Sequence, residues 1–143
     1  MSVDAIKIAD AVVASLQAAK LSMAFTAERR FVVPQALEYY DTARVIAVPI
    51  LLERQMDSRT TDLKTYTVSI GVRKRMGAAT DLDADLIANI TLAEEIADHL
   101  RDTELSGVRA TYVGCSIILF DPEAMNESRI ATSVVDVQYA IGG

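Results

Sequence analysis

The sequence predicts an α+β domain built on a mostly antiparallel sheet, and three observations carry that prediction. Tyr66, Val68, Ile70 and Val72 alternate with Thr65, Thr67, Ser69 and Gly71, the period-two pattern of a strand with one buried and one polar face. The stretches 4–20 and 86–100 each carry a single apolar stripe at three- and four-residue steps, which marks amphipathic helices. The remaining β-rich runs are joined by connections of hairpin or single-helix length, which favour antiparallel pairing. A helix with one stripe can cover only one side of a sheet, so both helices are expected on the same face. The other face must meet water, a partner chain, or both.

The elements follow in the order α-β-β-β-α-β-β. Ile6, Ala9, Val13 and Leu16 form the stripe of the first helix, with Asp10 and Gln17 on other faces. Residues 25–33 are rich in β-formers and end at Pro34, which restrains the residue before it. A polar and aromatic connection over 35–42 leads to a second strand, Arg44-Val45-Ile46-Ala47-Val48, expected to stop at Pro49. Residues 53–62 are almost wholly polar between two strand-like segments, so a long exposed hairpin loop is expected near residues 53–64. The alternating third strand then runs into Arg73-Lys74-Arg75 and a turn around Gly77.

Asp81, Asp83 and Asp85 precede Leu86, Ile90, Ala93, Ile96 and Leu100. Carboxylates in a first turn meet the positive end of the helix dipole, and Asp81 or Asp83 can cap the open amides. Gly107 is placed to stop this helix or to turn the following loop. Residues 108–120 and 128–139 read as two further strands, and Asp121 as cap with Pro122 at the first helical position predicts a compact helical link between them.

A length of 143 residues fits a single domain, residues 1–143, and 51% hydrophobic with 24% charged residues excludes disorder as a description of the whole chain. The net charge of -6 disfavours a broad basic face for nucleic acid, so no sequence-specific nucleic-acid partner is expected. Cys115 is the only cysteine, which removes any intramolecular disulfide or cysteine-based zinc site. Asp4, Lys7, Asp10 and Lys20 interrupt the apolar N-terminal stretch. It therefore has neither the layout of a signal peptide nor the length of a membrane span, and the expectation is synthesis in the cytoplasm with no membrane partner.

The residues give little support for catalysis. His99 is the only imidazole and falls at the edge of the second apolar stripe, which suits an ordinary surface histidine better than a base. Asp81, Asp83 and Asp85 have the alternate spacing that opens a calcium loop. Leu86 then stands where that loop needs glycine, and Leu92 where it needs the bidentate glutamate, so capping is the simpler account. No glycine-rich phosphate loop is present, and Glu94 and Glu95 are helical neighbours facing different directions. A non-enzymatic protein is expected, with no catalytic residue, cofactor or metal ligand.

Charge is distributed unevenly. Between residues 50 and 80, Arg54, Arg59, Lys64, Arg73, Lys74 and Arg75 outnumber Glu53, Asp57 and Asp62. Between 81 and 107 Arg101 stands alone against Asp81, Asp83, Asp85, Glu94, Glu95, Asp98, Asp102 and Glu104. A basic hairpin and an acidic helix could meet head to tail in neighbouring copies, and such contacts close into a ring when the rotation permits. The candidate subunit interface is Arg54, Arg59, Arg73, Lys74 and Arg75 against Glu94, Glu95 and Asp98. Two unrelated solvated surfaces are the plainer alternative.

A resemblance then enters on four stretches. They are Phe25-Thr26-Ala27-Glu28-Arg29-Arg30 with Pro34; Val45-Ile46-Ala47-Val48-Pro49; Tyr66 through Arg75; and Phe120-Asp121-Pro122-Glu123 leading to Thr132-Ser133-Val134-Val135. Together they resemble the tail terminators, also called tail completion or head-tail joining proteins, of tailed phages and prophages. The likeness spans about residues 5–139 in order of elements. It implies a virion structural protein forming a ring, usually hexameric, on the head-proximal end of the tail. Such a ring stops tail-tube polymerisation and joins the tail to the neck. The implied partners are further copies of the chain, the tail-tube protein and a neck or connector protein, with genome DNA passing through the lumen. The implied location is the virion tail or neck, after synthesis in the bacterial host cytoplasm. Another head-tail connector and a small oligomeric ligand-binding domain are the alternatives.

Overall fold

The computed structural model describes residues 4–56, 62–76 and 82–142. The chain runs through α1 (Asp4–Ala18), β1 (Thr26–Arg29), a 3-10 turn (Leu37–Tyr40), β2 (Arg44–Met56), β3 (Asp62–Arg75), α2 (Leu82–Asp102), β4 (Thr111–Ile118), α3 (Pro122–Ser128) and β5 (Ile130–Gly142). The strands form one five-stranded sheet in the order β1-β2-β3-β5-β4. The α+β class and the order of the main elements match the sequence pattern. Every neighbouring pair is antiparallel except β1 with β2, which is parallel.

The period-two pattern of β3 organises the core. Tyr66, Val68, Ile70 and Val72 turn to one face with Val45 and Ala47 of β2 and Val135, Val137 and Tyr139 of β5. Ile8, Val12 and Leu16 of α1 and Leu92, Ile96 and Leu100 of α2 close over them, each of the six without solvent exposure. Asn89 is the polar group in this helix-to-sheet contact. Its Nδ2 donates to the Val72 carbonyl and to Ser133 Oγ, both at 3.2 Å, and the Ser133 hydroxyl donates to the Leu119 carbonyl at 2.7 Å. The two helices are tied to each other where Ser15 Oγ lies 2.9 Å from His99 Nε2 in a half-buried contact.

Several strand boundaries differ from the sequence expectation: β1 spans only Thr26–Arg29 of the expected 25–33, because the chain then leaves the sheet for the crossover that packs Val33 against Tyr40, and β4 and β5 start later than residues 108 and 128. β2 does not stop at Pro49 but continues to Met56, with an irregularity in register between Pro49 and Leu51. β1 ends opposite Ala47, so Pro49 lies where β2 has no outer neighbour among the described residues, a setting in which a missing N–H is tolerated. The polar stretch near residues 53–64 is exposed as expected over residues 53–56. Glu53 to Met56 nevertheless pair with Thr65 to Asp62, so the strands reach further along the hairpin than a loop reading implies. Polarity there reports exposure, while the ladder is held by backbone groups that the side-chain pattern does not display.

The local signals of the last third hold. Asp121 caps α3, its Oδ1 accepting from the amides of Glu123 at 3.1 Å and Ala124 at 3.3 Å, with Pro122 in the first turn. α3 ends on Arg129 in the left-handed region at φ 58°, and Gly107 turns the loop after α2 at φ 80°. The expected turn around Gly77 and the cap at Asp81 lie outside the described residues.

Two substitutions separate core packing from local capping. Ile96→Ala is expected to lower the unfolding free energy by about 2–5 kcal/mol through lost burial and a residual cavity. Asp121→Ala is expected to cost about 1 kcal/mol through two freed amides. Urea denaturation followed by circular dichroism checks both, and the ranking core above cap is the outcome expected.

Candidate assembly surface

The uncovered face of the sheet is built from small and polar side chains. Thr65, Thr67 and Ser69 of β3 stand beside Ala140, Gln138 and Asp136 of β5, and these in turn beside Thr111, Gly114 and Ser116 of β4. Thr67 Oγ1 and Asp136 Oδ1 are buried there without a hydrogen-bond partner among the described residues. At one end the chain between β1 and β2 folds over this face: Tyr40, Ile46 and Ile130 pack together with Val33, Tyr39 and Val48. Tyr40 anchors that crossover by donating its hydroxyl to the Pro34 carbonyl at 2.5 Å, and the Arg44 guanidinium stacks 4.2 Å from the Tyr39 ring centre.

Both lateral edges of the sheet carry exposed apolar side chains. β4 is the outermost strand on one side, and its sequence Thr-Tyr-Val-Gly-Cys-Ser-Ile-Ile contains no charge and no proline. Val113 and Ile118 are 54% and 56% exposed on it. On the opposite side β1 shields only Arg44 to Ala47 of β2. Beyond it Ile50, Leu51 and Leu52 are 54%, 50% and 43% exposed. Each of these edges has a register irregularity, between Pro49 and Leu51 in β2 and between Tyr112 and Gly114 in β4.

The structure does not gather the interface residues read from the sequence into one basic and one acidic surface. Arg54 lies far along the hairpin and pairs with Asp62 at 2.6 Å, whereas Arg75 sits at the other end of β3 and pairs with Asp41 at 3.4 Å. Arg54 stands opposite Lys64, nine positions along β3 from Arg73, which at strand rise is roughly 30 Å. Arg73 folds its guanidinium back over Gly71, and Lys74 is half-buried. On α2, Glu95 accepts from the Ser22 amide at 3.2 Å and hydroxyl at 2.5 Å, Asp98 lies 3.5 Å from Arg101, and Glu94 is exposed. Arg59 lies outside the described residues. Arg54, Arg75, Glu95 and Asp98 thus already have partners within the chain.

The chemistry-bearing groups are dispersed as well. Ser15 and His99 have the contact distance of a nucleophile and base. Ser15 sits inside α1, however, where backbone amides are committed to the helix, and among the described residues no carboxylate hydrogen-bonds the histidine ring. Asp83 and Asp85 lie exposed in the first turn of α2, and no group of His, Cys, Asp or Glu converges as a metal site among the described residues. Among those residues no helix is long and apolar enough to cross a membrane.

A cleft of about 640 Å³ opens between the end of α2 and the start of β4, lined by Arg101, Glu104, Leu105, Arg109, Tyr112 and Tyr139. The Tyr139 ring meets Tyr112 edge-on at 6.0 Å, and its hydroxyl has no hydrogen-bond partner among the described residues. Burial raises the Tyr139 hydroxyl above the ordinary value of 10.0, with Tyr112 and Cys115 adding to the effect. A raised value in the folded state means that the neutral phenol is favoured by folding, so its contribution is complete below the unfolded value near 10 and is lost as pH rises toward the folded value. Tyr139→Phe removes a partnerless buried hydroxyl. It is expected to retain stability at pH 8 and to lose less than the native chain between pH 8 and 11, as read by guanidinium denaturation.

No protein-family model and no curated protein matches the chain.

Proposed function

We propose that this chain is a structural subunit and not an enzyme: it joins copies of itself into a ring at the head-proximal end of a phage tail, ends tail-tube growth, and offers a surface to the neck. The observation that carries this reading is the pair of uncovered apolar edges on opposite sides of one sheet. Proteins that act alone blunt such edges with charge, proline or a covering element. Here β4 has neither charge nor proline along Thr111–Ile118, and β2, although it carries Pro49, Glu53 and Arg54, outruns the strand that would cover it and exposes Ile50, Leu51 and Leu52. A subunit meant to be flanked on both sides by its own kind has use for both edges.

The remaining features support the same role. The net charge of -6 suits a passage that DNA traverses without being gripped. Side chains capable of chemistry are scattered over the described residues, which favours work done by shape. The likeness of Phe25–Pro34, Val45–Pro49, Tyr66–Arg75 and Phe120–Val135 to tail terminators supplies the place of action, and with it the tail-tube and neck proteins as partners.

Negative-stain imaging of the purified chain, alone and mixed with a tail-tube protein, tests the proposal. Rings are expected, seated on one end of the tubes, and tubes assembled in the presence of the chain should be shorter than tubes assembled without it. A chain that stays monomeric beside the tube protein and leaves tube length unchanged would overturn the reading.

A further inference from the structure

We infer that neighbouring copies join edge to edge, the outer edge of β4 in one copy forming an antiparallel ladder with the free half of β2 in the next, so that the sheet continues from subunit to subunit. This rests on the ring reading and names the surface that makes the ring.

Strand direction comes first. β2 and β5 run one way and β3 and β4 the other. A rotation about an axis along the strands leaves these directions unchanged, so β4 of one copy meets β2 of the next antiparallel. Antiparallel strands make the better-aligned hydrogen bonds of the two arrangements.

Level across the sheet is the second element. Following paired residues, Ser116 lies level with Asp136, Ser69 and Val48, and Thr111 level with Ala140, Thr65 and Glu53. The segment Thr111–Ser116 of β4 therefore stands at the height of Val48–Glu53. That is the part of β2 beyond the end of β1.

The bulges agree with this match. Each edge strand carries its irregularity at neighbouring levels, Ile50 lying between Pro49 and Leu51 and Val113 between Tyr112 and Gly114. A bulge bends and twists its strand, and here the two bends fall at about the same height.

A two-fold contact of β4 with β4 would cover only that edge and leave Ile50, Leu51 and Leu52 in water. The heterologous contact covers both edges with one interface repeated, and such a contact closes into a ring when its rotation divides the circle.

Cys115 provides the test. It is the only cysteine, is exposed on β4, and lies level with Val137, Val68 and Pro49. A short bis-maleimide can link the native chain into dimers at most, and only where two Cys115 thiols meet. In Ile50→Cys each copy offers one thiol at each edge, and the expected result is a ladder of trimers, tetramers and larger species on a denaturing gel. Cys115→Ser in the Ile50→Cys background should abolish that ladder. Val113→Lys is expected to weaken self-association at least tenfold by light scattering, with the far-ultraviolet circular dichroism spectrum unchanged. Dimers of the native chain through Cys115 would overturn the pairing in favour of the two-fold contact. Rings that persist in Val113→Lys and yield no ladder in Ile50→Cys would overturn the edge junction while leaving the ring reading intact. A chain monomeric in every preparation would overturn both.

Discussion

Burial of one face of β3 beneath two helices is the constraint on which the rest of the structure depends. Tyr66, Val68, Ile70 and Val72 have almost no solvent exposure, and β3 is laddered to β2 and β5 along nearly its whole length. A one-residue slip of this strand would exchange its apolar set for Thr65, Thr67, Ser69 and Gly71, so the register is strongly specified. The neighbouring strands inherit their inward faces from it, and α1 and α2 have one place to put their stripes. The Asn89 contacts to Val72 and Ser133 hold α2 over the junction of β3 and β5.

The same constraint leaves the molecule asymmetric. One face of the sheet is closed by helices, while among the described residues the other is covered at the end where the crossover carrying Tyr39 and Tyr40 folds back. A short parallel strand, β1, shields part of one lateral edge, and among the described residues no strand lies beyond β4 on the other. Free strand edges present rows of amides and carbonyls whose natural complement is another strand. The geometry favours association through the backbone, with apolar side chains flanking the junction.

Electrostatics has a secondary role. The described ion pairs are local and substantially exposed, as between Arg54 and Asp62 or Arg101 and Asp98. Exposed pairs of this kind contribute between 0 and about 1 kcal/mol each. They trim the surface and position loops, and they occupy several charges that a sequence reading would assign to a neighbouring subunit.

Residue order alone announces most elements whose cause is local, though not the 3-10 turn Leu37–Tyr40. The alternation in Tyr66–Val72, the amphipathic character of α1 and α2, the Asp121-Pro122 start of α3 and the Gly107 turn all appear in the structure, because each is set by residues a few positions apart, although the buried helix faces include Ile8, Val12 and Leu92 and leave Ile6 and Ile90 at their margins. The absence of charge across Thr111–Ile118 is equally visible, yet only the sheet order places β4 outermost. The continuation of β2 past Pro49 and the distance between Arg54 and Arg73 were not legible. Strand order, register and the reach of a neighbouring strand are long-range backbone relations, settled by which elements pack together and not by the composition of any one segment. The candidate surface belongs to that second class, since an edge exists only by virtue of what fails to lie beside it.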